Sequence, residues 1–325
     1  MRAALCIEHG APEVVRVEEM PSPPVGAGQV RVLVHAASVN YPDVLIVANE
    51  YQLKTPAPFV PGSEFAGVVG EVADDVTALA VGDRVFGTLM VGAFAEEAVA
   101  AAGSLTRTPD GVDHRKAAAF GVAHRTAYHT LRSVAALQPG EELVVLGAGG
   151  GVGLAAVQLG AVLGATVTAV ASSPEKLAAA AEAGATHLVN HKTSDLRAAL
   201  REALPGGADV VVDPVGGSLA EPALRTLRYR GRFVTVGYAA GEIPRIPLNL
   251  VLLKGITIAG FEFGSFMTHE TEAMARNEAE LLALLGEGRA SPHIGAAFPL
   301  DETAAALRYV ADGHAIGKVV LDVRP

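Results

Sequence analysis

The sequence predicts an α/β protein in which a doubly wound parallel sheet is inserted into an irregular antiparallel barrel, and three observations predict it. The first is the segment 143–171, 29 residues without a charge, where an apolar run meets glycines at 147, 149, 150, 151 and 153. The second is the alternation that follows, short apolar runs separated by stretches of helical pattern. The third is a change of texture on both sides, where short strands are broken by Pro and Gly.

Taken in order, Val14–Glu18, Val30–Val34, Ala66–Val72 and Arg84–Gly87 read as short alternating or apolar strands, with PSPPVGAGQ, TPAPFVPG and AVGDRV as turns between them. Strand Leu143–Leu146, a glycine turn, helix Val152–Leu163 and strand Thr166–Ala171 come next. Length alone makes 143–171 a candidate membrane helix, but seven glycines among its 29 residues, four of them within 149–153, break a helix near its start. A helix over Pro174–Ala183, strand His187–Asn190, helix Asp195–Leu204 and strand Asp209–Val212 continue the alternation, followed by helix Leu219–Arg228 and strand Arg232–Val236. The runs LVVL, VTAVA, DVVV and FVTV are apolar throughout, as parallel strands covered on both faces require. The barrel texture returns over 293–325, with an amphipathic helix from Asp301 to Ala311 and strand Lys318–Val323. We therefore expect a discontinuous first domain, 1–123 plus 264–325, and an inserted second domain, 124–263.

The glycine turn is the opening of a dinucleotide-binding βαβ unit. Its spacing is Gly147-x-x-Gly150-x-x-Gly153, a looser variant of G-x-G-x-x-G, because Ala148 holds the first place of the strict register. By itself this spacing leaves open a glycine turn that binds nothing. As a nucleotide site, Gly150, Gly151, Val152 and Gly153 would bring the backbone close to a pyrophosphate on the positive helix N-terminus. A side chain at Gly150 or Gly153 is then expected to fill that space while leaving the fold intact.

Composition narrows the function. Half of the residues are hydrophobic and 18% are charged, as in a packed globular protein. The net charge of −10 and the lack of a basic run argue against nucleic acid and anionic membrane surfaces. The N-terminus reaches Glu8 before any long apolar stretch, unlike a signal peptide. A single cysteine, Cys6, excludes an internal disulfide framework, suits a cytoplasmic location, and reads as packing within a strand.

A barrel carrying VNYPDV and PGSEFAGVVGEV, then GDRVFG, a helix leading into RTAYHTL, then GAGGGVG, DPVGG and GRFVTVG, resembles the medium-chain dehydrogenase/reductase superfamily over almost the whole chain. Within it, NYPDVLIVANEYQLKTPAPFVPGSEFAG looks like the zinc-free quinone oxidoreductase branch. The resemblance implies a Rossmann-type sheet inserted into a GroES-like β-barrel domain, and an NADPH-dependent reductase of quinones or conjugated carbonyls. In zinc-dependent relatives a cysteine falls at Asn40 and a histidine at Ser63, while the acidic Glu64 is kept and the third ligand lies near Val122. One carboxylate of three ligands does not hold a catalytic zinc. The structural four-cysteine lobe is absent as well, and His124 and His129 have nothing nearby to complete a metal set. Hydride transfer without a Lewis acid suits acceptors that are already electron-poor. Glu64 also has a plainer expectation, holding the turn at Pro61–Gly62 by backbone hydrogen bonds.

The end of the second nucleotide-fold strand selects the cofactor. An acidic residue there would read a ribose 2′-hydroxyl. This chain has Ala171-Ser172-Ser173-Pro174-Glu175-Lys176, whose hydroxyls and lysine suit a 2′-phosphate and hence NADP(H). Helix capping by Ser173, with Pro174 at the first helical position, explains the same residues and is compatible. Glu175 then has to point away. The resemblance adds His191 in the next loop, and Lys318 as a further charge. For the nicotinamide end it points to Asn40, Thr126, Val215 and Gly237, with Phe261 and Phe263 as either ring borders or core. Tyr128 reads as a buried helix residue.

Asn40 and one tyrosine, Tyr41 or Tyr51, are expected to polarise the acceptor oxygen in a water-poor cleft, with the proton supplied by solvent. Two further readings stay open: an enone or enoyl-thioester reductase, and a non-catalytic NADPH-binding protein. The family resemblance also implies a homodimer through the sheet edge near Gly255–Phe263, whose apolar ITIAGF needs covering.

Overall fold

A computed structural model describes residues 1–324, and its contacts divide into two units. The first comprises Met1–Val122 and the chain from Ser291 onward; the second is Ala123–Ala290.

The first unit opens with β1 (Arg2–Cys6), β2 (Val15–Glu19) and β3 (Gln29–Val39), followed by the short helix α1 (Tyr41–Val47). It continues with β4 (Glu64–Val72), β5 (Arg84–Thr88), β6 (Glu97–Ala101), β7 (Leu105–Arg107) and α2 (His114–Phe120). The strand expected over Val30–Val34 is the first half of the longer β3. Val30, Val32 and Val34 alternate into the core at period two, and beyond them Ala36, Ala37 and Val39 are buried too.

The second unit begins with α3 (Ala123–His129) and β8 (Glu142–Leu146), then α4 (Gly151–Val162), β9 (Thr166–Ala171), α5 (Pro174–Glu182) and β10 (His187–Asn190). It proceeds through α6 (Leu196–Ala203), β11 (Ala208–Asp213), α7 (Ala220–Leu224), β12 (Leu227–Thr235), α8 (Leu248–Lys254) and β13 (Thr257–Gly260) to α9 (Phe263–His269) and α10 (Thr271–Gly286). All six strands are parallel, in the order β10-β9-β8-β11-β12-β13. The path leaves β8 in one direction and returns through β11 in the other, so the topological switch lies between them, where this architecture binds ligands. Val144, Val145, Val170, Val211 and Val212 have no exposure, which accounts for the unbroken apolar runs in the sequence.

The helix expected over Leu219–Arg228 is instead the five-residue α7, with β12 starting at Leu227. The boundary expected at 263 also differs: the second unit runs on to Ala290. The cause is polar. Glu278 on α10 accepts from Arg125 Nε at 2.8 Å and pairs with His129 Nε2 at 2.9 Å, while Glu280 accepts from Tyr128 Oη at 2.8 Å. These bonds tie α10 to α3.

The chain then returns to the first unit with β14 (Ile294–Pro299), α11 (Thr303–Ala311) and β15 (Lys318–Asp322). β15 pairs antiparallel with β3, closing the order β14-β15-β3-β4-β5-β7, and β6 also pairs with β3. That pairing places Lys318, the first residue of β15, next to the end of β3 and the Asn40 that follows it. Cys6 is fully buried among the barrel's apolar residues, as expected of a packing residue. Among the described residues no helix is long and apolar enough to cross a membrane.

Candidate active site

Each unit carries one cluster of interest. In the second unit, β8 runs into the glycine turn. Gly147 adopts φ +61°, and a Cβ there would lie 2.5 Å from Val215 Cγ2, so the loop after β8 is pressed against the loop after β11. The two neighbouring glycines do different work. A Cβ at Gly153 would stand 2.1 Å from the Gly147 carbonyl oxygen, so this glycine lets α4 pack on its own turn. The expectation that a side chain at Gly153 leaves the fold intact is therefore corrected. At Gly150 the nearest atom to a Cβ is 3.5 Å away, which leaves room beside the start of α4. Gly150 is the N-cap, and no side chain caps this end of α4.

At the far ends of β9 and β10, Asn190 pairs with Ala171, and the His191 N–H donates to the Ala171 carbonyl at 3.1 Å. His191 therefore sits beside Ser172. The Lys176 stem lies on the glycine turn, within 2.5 Å of where a Gly149 Cβ would be. Burial holds the ammonium of Lys176 and the imidazole of His191 below their usual ranges, and nearby Lys176 adds to the effect on His191. Ser173 is the N-cap of α5, its Oγ accepting from Lys176 N at 3.3 Å. Glu175 does not point away as expected: its carboxylate is hydrogen-bonded to Ser173, which holds it below the usual carboxylate range. Ser173 is thus occupied by capping, with Ser172, Lys176 and His191 nearby.

One feature of the loop after β11 was not read from the sequence. Asp213, the last residue of β11, is fully buried, and its Oδ1 accepts from the N–H groups of Val215 and Gly216, both at 2.8 Å. This shapes the loop that presents Val215, and the DPVGG run after an apolar strand was its signal. Gly237 sits beside it, its N–H directed to the Asp213 carbonyl at 3.4 Å. Thr126 is half-buried on α3. Phe261 is core: it is 7% exposed and packs with Phe266 and His129, ring centroids 5.5 and 6.2 Å away. Phe263 is half-buried with the Arg125 guanidinium 4.7 Å over its ring. Tyr128 is buried on α3, as its pattern implied.

In the first unit, Asn40, Glu64 and Lys318 form one buried polar network. Lys318 Nζ donates to Glu64 Oε1 at 2.7 Å and to Asn40 Oδ1. Asn40 Nδ2 donates to Glu64 Oε1 at 2.9 Å, with longer approaches to Ser63 Oγ at 3.2 Å and the Ser38 carbonyl at 3.5 Å. Glu64 Oε2 accepts from the Val122 N–H at 2.7 Å. Glu64 therefore does not hold the Pro61–Gly62 turn as expected; it compensates an internal ammonium. Lys318, expected to add charge for the cofactor phosphate, is only 4% exposed and spends its charge here. Asp43 is also buried and accepts from Asn40 N at 2.7 Å; burial pushes its carboxyl up to about 7. Tyr41 is the first residue of α1 and half-buried, and Tyr51 packs against the barrel core.

A barrel interrupted by a six-stranded parallel sheet, with a glycine turn at its topological switch, defines the class of medium-chain dehydrogenases/reductases. Comparisons with known proteins agree. Residues 26–110 match the alcohol dehydrogenase GroES-like domain, and 151–280 match the zinc-binding dehydrogenase domain. The chain belongs to the quinone oxidoreductase branch of that superfamily. It is 38% identical to quinone oxidoreductase-like protein 2 of Bos taurus, over 99% of this chain and 93% of that protein. It is 32% identical to the quinone oxidoreductase of Homo sapiens, over 99% and 97%. The Escherichia coli quinone oxidoreductase solved in complex with NADPH superimposes with a TM-score of 0.92 at 26% identity, covering 99% of this chain and all of that one.

Zinc, which the second domain description names, does not suit the residues present. Glu64 is already bonded to an ammonium, an amide and a backbone N–H. Among the described residues no group of three or more His, Cys, Asp or Glu side chains can hold a metal.

Proposed function

We propose that the protein is an NADPH-dependent, zinc-independent quinone oxidoreductase that reduces quinones or related conjugated carbonyls. The observation that carries this is the Lys318 ammonium bonded to both Asn40 and Glu64, which puts a fixed internal cation where a Lewis acid would otherwise sit. Acceptors that need strong polarisation are then poor substrates, and electron-poor ones are good. When bound, NADPH supplies the hydride from C4 of its nicotinamide. The start of α4 holds the pyrophosphate, and Ser172, Lys176 and His191 hold the 2′-phosphate. Thr126, Val215 and Gly237 border the nicotinamide. Asn40 directs an N–H at the acceptor oxygen, and solvent supplies the proton that completes the reduced product. The test is turnover with NADPH across a panel of quinones, enones and enoyl thioesters, with and without a chelator. Quinone reduction that survives chelation is expected. Reduction of acyl thioesters alone moves the protein to the enoyl reductases, and activity lost with a stoichiometric zinc overturns metal independence.

Cofactor choice gives a second expectation. One charge-assisted hydrogen bond contributes roughly 1.5–3 kcal/mol, or about 10- to 150-fold in affinity. NADPH should bind at least ~tenfold tighter than NADH, and Lys176→Ala should remove most of that difference while barely changing NADH. Fluorescence titration of both cofactors measures it, and equal affinities in the wild type would leave capping as the explanation of these residues.

We also propose a homodimer. β13 is the outer strand of its sheet, and Leu252, Leu253 and Ile258 beside it are 81%, 76% and 37% exposed. Ile258→Asp should weaken self-association by desolvating a charge in a paired edge. Sedimentation at rising concentration checks this, and a monomeric wild type contradicts it.

A further inference from the structure

The Asn40 carboxamide has two ends of similar shape and opposite hydrogen-bonding sense, so something must decide which end faces which neighbour. Asparagine just before a helix ordinarily caps it with its side chain. Here the Asp43 N–H donates to the backbone carbonyl of Asn40 at 3.1 Å, and the side-chain amide is also bonded into the polar network. One N–H is anchored on Glu64 Oε1 at 2.9 Å. The other has only the longer approaches at 3.2 and 3.5 Å, so it is the one that can turn to a ligand at small cost. Lys318 takes the carbonyl oxygen. An ammonium has donors only, so it accepts one orientation of the amide and rejects the flipped one.

We infer that Lys318 is a positioning residue: by holding Asn40 Oδ1 it fixes the Asn40 amide so that the second N–H stays aimed at the bound carbonyl group. The inference rests on the proposed assignment of Asn40 to the reacting carbonyl. It places Lys318 outside the cofactor phosphate site, 4% exposed on β15 and held by residues of its own unit.

The test separates orientation from folding by removing both buried charges together. Glu64→Gln and Glu64→Gln/Lys318→Met are compared, each with and without Asn40→Ala. Adding Lys318→Met to Glu64→Gln should lower kcat roughly tenfold or more while KM for the quinone moves less, as expected for a misdirected group. The same step in the Asn40→Ala background should change kcat by less than about twofold, since the residue it acts through is gone. Dissociation constants for NADPH and NADH should each stay within about threefold of the Glu64→Gln values, well under a tenfold step.

Orientation itself is read by selective ¹⁵N labelling of the chain's five asparagines, the Asn40 signal being the one lost in Asn40→Ala. Its side-chain amide protons should be resolved and slowly exchanging in the wild type and collapse towards solvent values in the double variant. Unchanged Asn40 signals, an equal kcat loss in the Asn40→Ala background, or a large common loss of NADPH and NADH affinity would each overturn the inference, the last by placing Lys318 on the cofactor. A wild type that reduces no acceptor overturns the functional reading instead, and the Asn40 signals then decide the Lys318 link alone.

Discussion

Gly150→Val is expected to abolish measurable NADPH binding while the protein stays folded. The space beside Gly150 is open, with the nearest atom to a Cβ 3.5 Å away, so a valine fits without disturbing the turn. It then stands where, in the proposed site, a pyrophosphate would approach the first N–H groups of α4. Losing two hydrogen bonds to a charged group costs about 3 kcal/mol or more, which is beyond ~100-fold in affinity. Calorimetric titration with NADPH, paired with circular dichroism, measures both halves of the expectation. Gly153→Val gives a different outcome, because its Cβ would stand 2.1 Å from the Gly147 carbonyl oxygen and the turn itself has to shift. That variant should lose stability together with binding. Normal NADPH affinity in Gly150→Val would move the dinucleotide site elsewhere.

Lys318→Met by itself is expected to destabilise the protein sharply, although it replaces a polar side chain by an apolar one of similar length. The ammonium is the partner of Glu64, which has no exposure, and removing one member of a buried pair leaves the other uncompensated. The usual cost is about 3–5 kcal/mol, on the order of a 10 °C fall in Tm for a unit of this size. Adding Glu64→Gln removes the orphaned charge and should recover most of the loss, because a neutral amide can still accept from Asn40 and Val122. Thermal unfolding of the two variants decides this. A single variant as stable as the wild type would show that Glu64 reaches water or another partner once Lys318 is gone.

The outcome at Lys318 shows where the sequence stopped being informative. A lysine opening a strand near the C-terminus carries no local sign of its partner, and a solvated or phosphate-facing side chain is the natural expectation. Its partners lie 254 and 278 residues away in the chain, and pairing of β15 with β3 brings them together. Glu64 was misassigned for the same reason: its acceptors' partners, Lys318, Asn40 and Val122, are all distant in sequence or on another element. The domain boundary at 263 failed similarly, since α10 looks like any amphipathic helix until Glu278 and Glu280 meet α3.

Local physics was enough elsewhere. An apolar run, a glycine turn and an uncharged helix determine a βαβ unit, because backbone geometry and burial on both faces leave few alternatives. Ser173 and Pro174 determine where α5 begins, and the capping bond is there at 3.3 Å. The sequence by itself therefore determined the class of fold, the order of its strands' elements and the place of the glycine turn, all governed by neighbours within a few residues. Only the tertiary structure decided that Gly153 serves packing while Gly150 leaves open space, and that Lys318 belongs to Asn40 and Glu64. Those are questions of which atoms share a buried volume, and chain segments hundreds of residues apart answer them only once the sheets have closed.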